Sequence, residues 1–557
     1  MLISLAFVFG VQAMAGAVRL SAARPLADQF EQGATTYVIK KSINLGGKTV
    51  AVPDGSVLVF KGGSLNNGTL SGKFSVENVK KNSLNVRMAE GSSFQNEVPI
   101  YAGNDVSVIS ACEAGCRLES DLSVKEKILL HGNLDGNGHS IVGVGGNYRL
   151  ISIENSEKPL TISNVKLVKA HKPGEKSLAY AIYAINSSDI TVENCNVDGR
   201  LYFTDKDGVS KGLTIRGCTL TCDLSDCVQG WEHQQDHITI VSVCDVLIEN
   251  CTIFSKDVNR VFKTSAYFSK PEFDDPSNCV DGVVLRNNTI TAECRYGKQL
   301  WDMFCGTVNV LIEGNVINAS GMTEIFENKA HQRKFKDGEL ISSTIRIIGN
   351  NVVTSGSSMF MFNTNSECDS FEVIGNDFCM GGPNSNEVTG FKRSTGCYLQ
   401  GYKSCVIRNN TFKFADEAVG LPFAVVNFKC LSTEVCDNSF VDAYRINFSS
   451  TSGKSVEAER FLYSGNVKSY GPKYKSSKVE VSLEGSDVKD LNVAIPHDNN
   501  NSDYFVTFNK GVTVGMFNFD SKASSKRAFT YISDGVKVKN MKLPKGCRKN
   551  GSNWTIQ

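Results

Sequence analysis

The chain is poor in several things at once. Among 557 residues there are 12 prolines and 3 tryptophans, and its 18 cysteines contain no C-x-x-C pair. Neither sign of charge is in excess, with 59 Lys+Arg against 58 Asp+Glu and a net charge of +1. That balance lacks the electrostatic footprint of a nucleic-acid binder, so no nucleic-acid partner is expected. Few prolines beside 49 glycines exclude a collagenous or Pro-rich chain. Cys112/Cys116 and Cys218/Cys222/Cys227 lack a nearby histidine at the spacing of a structural zinc site, although His233 and His237 follow. No metal is therefore assigned, and no cofactor is identified.

The first residues stand apart. Met1 to Val18 carries no charged side chain, and the apolar run Leu2 to Val11 is followed by Ala13-Met14-Ala15 and Ala15-Gly16-Ala17, both small-x-small. Residues 1–17 read as a secretory signal peptide, with a membrane anchor as the alternative. No later segment is apolar for long enough to span a bilayer, so no stable membrane insertion is expected after cleavage. The expected location is secreted, periplasmic or cell surface.

One phrase then returns along the chain. It reads Ile162-Ser163-Asn164-Val165, Val192-Glu193-Asn194-Cys195, Ile215-Arg216-Gly217-Cys218, Ile248-Glu249-Asn250-Cys251 and Leu285-Arg286-Asn287-Asn288. It continues through Ile312-Glu313-Gly314-Asn315, Ile347-Ile348-Gly349-Asn350, Val373-Ile374-Gly375-Asn376, Ile407-Arg408-Asn409-Asn410, Val435-Cys436-Asp437-Asn438 and Tyr463-Ser464-Gly465-Asn466. From Cys195 onward the steps vary from 23 to 37 residues, one supersecondary unit with loops of variable size. After it, Gly465, Asp490, Gly515 and Asn540 recur 25 apart, which extends the repeat almost to the C-terminus.

Each phrase encodes strand, tight turn, strand. The third residue is Gly, Asn or Asp, the types that accept the positive φ of such a turn. The fourth is Asn or Cys: a stacked Asn can bond the backbone of neighbouring coils, and Cys fills the slot as a small hydrophobe. Stacked parallel side chains hold their Cβ atoms too far apart for a disulfide, so Cys195, Cys218 and Cys251 are expected reduced and buried. Leucine-rich repeats need Leu-x-x-Leu-x-Leu before the slot, and propeller blades need a more even spacing; neither is present.

On these phrases, and on Leu134-Asp135-Gly136-Asn137-Gly138-His139-Ser140-Ile141, the chain resembles the right-handed parallel β-helix proteins of the pectin-lyase-like superfamily. The resemblance covers about residues 125 to 545. It implies an all-β right-handed parallel β-helix over residues 125–557, which the repeat sets at roughly fourteen coils, while Tyr37-Val38-Ile39, Thr49-Val50-Ala51-Val52 and Val57-Leu58-Val59-Phe60, short alternating strands between Gly/Asn turns, read as an N-terminal β cap and first strands at residues 18–124. It says little of function, because lyases, hydrolases, esterases, adhesins and tailspikes share the scaffold. The Asp-rich motif set of polygalacturonase-like hydrolases and the Arg motif of pectate lyases are not found in matching positions.

Residues at matching phase on successive coils form columns about 4.8 Å apart. Lys263 lies 12 after Cys251, Asp302 lies 14 after Asn288 and Glu327 lies 12 after Asn315, even offsets that suit one strand face. Asp302 and Glu327 are the candidate carboxylate pair for glycoside hydrolysis. Lys263, Lys329 and His331 offer a base and a cation for β-elimination, Arg260 and Arg333 offer anion contacts, and Trp301 and Phe326 offer faces for sugar rings. Charged residues on an exposed sheet also simply solvate it. A second constellation, Asp223, Asp226, Trp231, Glu232, His233, Asp236 and His237, reads as a solvated turn running into a strand at His237. Ser521 to Gln557 is locally basic, which suits either an anionic partner or protection of the terminal coils.

The expected function is an exported carbohydrate-active protein that binds and cleaves a complex polysaccharide, by hydrolysis or β-elimination. The alternative is a non-catalytic adhesin or tailspike-like glycan binder. The sequence leaves the oligomeric state, the sugar and the linkage open.

Overall fold

The computed structural model describes residues 17–30, 35–146, 148–169, 173–177, 179–228, 235–266, 280–304, 306–328, 343–356, 358–382, 384–388, 397–415, 418–425, 430–449, 456–474, 479–495, 504–521 and 528–556. The signal-peptide expectation, residues 1–17, falls almost wholly outside them, as do Trp231, Glu232, His233, Lys329, His331 and Arg333. Among the described residues no helix is long and apolar enough to cross a membrane.

The chain is an all-β parallel solenoid, divided into two compact units. The first comprises residues 1–144 with 160–166, and the second residues 145–159 with 167–557. In the first, Thr36–Ile39, Val57–Phe60, Lys73–Glu77 and Ser93–Phe94 pair in order. Further along, Val98–Ile100, Cys116–Leu118, Leu134–Asp135 and Leu160–Ser163 do the same, all parallel. The expected N-terminal strands are thus themselves short coils. A five-residue helix, Val106–Ser110, with Asp105 accepting from the Ser107 amide at 3.0 Å, had no sequence signal beyond that cap. Gly136 cannot carry a side chain, since a Cβ there would sit 2.3 Å from Cβ of Val165.

The second unit stacks three columns of strands. One runs Tyr180–Ile185, Leu201–Thr204, Asp236–Val241, Arg260–Ser265, Gln299–Phe304, Glu324–Asn328. The next runs Ile190–Glu193, Ser210–Arg216, Val243–Glu249, Val280–Arg286, Thr307–Glu313, Thr344–Ile348. The third begins Asn196–Asp198, Thr219–Asp223, Thr252–Lys256, Thr289–Glu293. Alternation sends Ile, Leu, Val and Phe inward, as in Val192, Ile215, Ile248, Leu285 and Ile312, all buried.

The turn between the second and third columns is the repeated phrase. Its third residue has positive φ in every copy, from 52° at Asn164 to 70° at Gly465. Its fourth residue builds an amide ladder: Asn288, Asn315, Asn350, Asn376, Asn410 and Asn438 each donate from Nδ2 to Oδ1 of the next, at 2.9 to 3.0 Å. Every Nδ2 also donates to a backbone carbonyl, Ile248 for Asn288 and Leu285 for Asn315. Each buried amide is therefore satisfied along the stack. Cys195, Cys218 and Cys251 occupy the earlier slots as buried thiols, donating to Glu193, Arg216 and Glu249 carbonyls at 3.2 to 3.3 Å.

The tail corrects one expectation. Asp490 pairs with Arg460 and Met516, whereas Ser464 pairs with Ala494. The 25-residue recurrence is therefore not one structural phase. The reason is local: Asp490 lies inside the ten-residue strand Ser486–Ile495, four residues before Ala494, the partner of the pre-turn Ser464. The end of the stack is closed by antiparallel pairing of Asn553–Ile556 with Ala528–Ile532 and Cys547–Asn550. Lys537, Lys539 and Lys542 are exposed on the terminal strand Lys537–Lys542, which suits charged protection of an open sheet edge.

Candidate functional site

The column through Asp236–Val241, Arg260–Ser265, Gln299–Phe304 and Glu324–Asn328 places the chemistry. Thr239 pairs with Lys263, Lys263 with Asp302 and Asp302 with Glu327. The three residues singled out by spacing do share one register on successive rungs. Each follows a core residue, Phe262, Trp301 or Phe326, so the pleat turns it to the opposite face.

The surroundings are drier than an open sheet face. Asp302 is 3% exposed, Glu327 1% and Arg260 8%, while Lys263 is half-buried. Arg260 bridges two carboxylates, with Nη1 3.1 Å from Oδ1 of Asp236 and Nε 2.7 Å from Oδ2 of Asp302. Burial alone would lower the Arg260 guanidinium, but Asp236 and Asp302 outweigh it and raise it. Arg260 is thus held within an ion triad, and its role as an anion contact for substrate is limited to what that triad leaves. Gln299 and Thr323 both donate to Oε2 of Glu324, the former at 3.3 Å.

Trp301 and Phe326 do not serve as sugar platforms. They are 2% and 0% exposed, and Trp301 Nε1 donates to Oγ1 of Thr264 inside the coil at 3.1 Å. The alternation that turns Asp302 and Glu327 outward necessarily turns their preceding aromatics inward.

Aromatics on the outer face lie elsewhere in the same column. Tyr183 pairs with Tyr202, which pairs with Thr239, so the line reads Tyr183, Tyr202, Thr239, Lys263, Asp302, Glu327. The Tyr183 and Tyr202 rings stack 5.4 Å apart at 11°, and Tyr180 meets both. Arg149 lies over the Tyr183 ring at 3.4 Å and Arg200 over Tyr180 at 4.8 Å. Sequence reasoning missed this group; its signal was the pair of segments Tyr180-Ala181-Ile182-Tyr183 and Leu201-Tyr202-Phe203, where tyrosine alternates with core residues.

No family model, no curated protein and no solved structure matches this chain. What it does must be read from its own geometry.

The second constellation divides. Asp223 is exposed, and against a partial burial that raises it, hydrogen bonds from Ser225 and the charge of Lys256, 3.4 Å away, lower its carboxyl. Asp236 belongs to the ion triad. His237 points into the core at 0% exposure, its Nδ1 2.8 Å from Oγ of Ser255, and burial together with Arg200 lowers its ring to about 3. His237 is a neutral core histidine at ordinary pH, on a strand as its apolar neighbours imply. Among the described residues no group of three or more His, Cys, Asp or Glu is arranged to hold a metal ion.

Proposed function

We propose that the chain is an exported solenoid of the pectin-lyase-like kind that binds a polysaccharide along the face bearing Tyr183, Tyr202, Thr239, Lys263, Asp302 and Glu327, and cleaves it at the last two. The observation that carries the reading is this single register column, in which a stacked aromatic pair is followed within a few rungs by a cation and two adjacent carboxylates. Rungs repeat at about 4.8 Å, close to the rise of a sugar unit along an extended glycan. Tyr183 is 5% exposed, covered by Arg149 and Tyr202, so the half-buried Tyr202 and Tyr180 supply the apolar surface and polar tips.

Asp302 and Glu327, one rung apart, suit the short separation of a retaining glycosidase pair, about 5 to 5.5 Å. In this assignment Asp302, ion-paired to Arg260, acts as the carboxylate nucleophile and Glu327 as the acid. The proton moves from Glu327 to the leaving oxygen as the glycosidic bond breaks, and water later releases the sugar from Asp302. Lys263 offsets negative charge on the substrate.

A second reading, a non-catalytic glycan-binding spike, is favoured by one observation: the near-complete burial of Asp302 and Glu327. The deciding experiment is a panel of acidic and neutral polysaccharides, following reducing ends and unsaturated uronate absorbance, beside Asp302→Asn and Glu327→Gln. New reducing ends lost in both variants support hydrolysis at this pair. Uronate absorbance indicates β-elimination instead, and binding without cleavage in all three proteins supports the spike.

A further inference from the structure

Tyr183 is sandwiched between neighbouring rungs. From the rung after it the Tyr202 ring stacks at 5.4 Å and 11°, and from the rung before it the guanidinium carbon of Arg149 lies 3.4 Å from the ring centre. We infer that Arg149 reads an oxyanion on the polymer, the carboxylate of a uronic acid or a sulfate ester, carried by the sugar next to the one held on Tyr180 and Tyr202. The inference rests on the glycan reading and adds to it the chemical class of one substituent.

The stack occupies the flat face of the guanidinium and leaves its edge open. Arg149 is half-buried at the start of the strand Arg149–Glu154, and among the described residues its N–H groups have no hydrogen-bond or ion-pair partner. The other two cations that lie over tyrosines here are committed. Lys169 donates to the Gly145 and Gly146 carbonyls at 3.0 and 2.9 Å, and Arg200 donates from Nε and Nη1 to the carbonyls of Asp236 and Ser177. A guanidinium held against a ring keeps its donors in one fixed plane, and two of them match two oxygens of a single carboxylate or sulfate.

The acids of this region do not close that edge. Glu154 stands at the far end of the same strand, about 16 Å along it, and accepts from the Ser152 hydroxyl at 2.7 Å. Asp223 pairs with Lys256 at 3.4 Å and Asp236 with Arg260 at 3.1 Å. Asp198 and Asp226 have interactions of their own, and none of these five carboxylates is ion-paired to Arg149.

The position suits recognition rather than chemistry. Arg149 pairs with Tyr180, whose ring lies 5.4 Å from that of Tyr202, so the guanidinium belongs to the rung before the half-buried rings. One rung, about 4.8 Å, is close to one sugar unit. Asp302 follows four rungs beyond Tyr183, through Tyr202, Thr239 and Lys263. The acid group is therefore read several units away from the bond that is cut, and Arg149 sets specificity without touching the reacting atoms.

The test is an array of immobilised neutral, uronate-bearing and sulfated oligosaccharides, probed with the full chain and with Arg149→Gln and Arg149→Lys, each checked by thermal melting. The parent should hold acidic glycans about ten- to hundredfold more tightly than their neutral counterparts, the worth of charge-assisted hydrogen bonds. Arg149→Gln should close that gap, and Arg149→Lys, which keeps the charge without the fork, should restore part of it. Selection of uronate-bearing glycans alone assigns a carboxylate, and of sulfated ones alone a sulfate; either supports the inference. Neutral glycans held as tightly as acidic ones overturn it and leave the glycan reading standing. An acidic preference unchanged in Arg149→Gln also overturns it, because the reader then lies elsewhere, as at Lys263. Binding to no glycan overturns the glycan reading and the role of Arg149 together.

Discussion

Asn376 hands its amide to Asn410: Nδ2 of the first donates to Oδ1 of the second at 2.9 Å, while Oδ1 of Asn376 accepts from the Asn350 backbone at 2.8 Å. The same Nδ2 reaches the Ile347 carbonyl at 2.8 Å. Asn376→Ala removes these bonds and leaves buried partners on two coils, so it should destabilise by roughly 3 kcal/mol. Asn376→Cys should cost less, because Cys195, Cys218 and Cys251 already fill that slot. Urea unfolding of the three proteins measures the order; equal loss in Ala and Cys variants would show that the slot itself, not the unmet bonds, sets the cost.

Arg260 sits between Asp236 and Asp302, all three nearly dry. Arg260→Met leaves two buried carboxylates facing each other, a loss of about 3 to 5 kcal/mol. Replacing the carboxylates as well, in Arg260→Met/Asp236→Asn/Asp302→Asn, should recover most of it. The comparison of single and triple variants by chemical denaturation separates the cost of an unpaired charge from the worth of the triad. A triple variant no better than the single one would mean that Arg260 acts through packing.

The repeat was readable because two chemical demands recur in it. Positive φ admits few residue types, and a buried amide stack admits only Asn or a small apolar stand-in, so Asn164 to Asn466 mark the turns whatever the loop lengths. The alignment of Lys263, Asp302 and Glu327 followed from even offsets. What could not be read was depth: spacing assigns a face, but only the full fold shows that Asp302 and Glu327 are nearly dry and that Trp301 and Phe326 lie in the core. The tail misled because glycine and aspartate at an even step imitate the turn, while Asp490 lies within a straight strand. The tyrosine group was hidden because variable loops before Tyr183 and Tyr202 erase any constant offset.

His237 makes stability depend on acid. Its folded ring is lowered to about 3 by burial and Arg200, against 6.5 when exposed. Below pH 6.5 the unfolded chain takes up a proton that the folded one refuses, so this contribution is present above pH 6.5 and is lost as pH falls toward 3. The slope is up to about 1.4 kcal/mol per pH unit for this one group. His237→Leu should be less stable at neutral pH, having lost the Ser255 contact, yet fall less steeply between pH 6.5 and 4. Denaturation midpoints across that interval read the difference, and parallel curves for the two proteins would assign the acid sensitivity to other groups.

Buried thiols act at the alkaline end. Burial raises Cys222, pushes Cys227 up to about 11 and Cys294 to about 12, from an ordinary value near 9. Above pH 9 the unfolded chain loses thiol protons that the folded chain keeps, so stability is intact below 9 and is lost as pH rises through 11 and 12. Lys468 works the other way. Burial lowers it to about 8 against the pull of Glu480, so it adds stability as pH rises from about 8 toward 10.5. The parent curve between pH 8 and 10 is therefore a sum of opposite slopes, and only differences between proteins isolate either one. Cys294→Ala should lose stability at pH 7, from the small cavity, but decline less than the parent from pH 9 to 10.5. Lys468→Met/Glu480→Gln should decline more steeply than the parent over the same range, because it lacks the rising term; a decline unchanged in both variants would remove these two sites from the alkaline response.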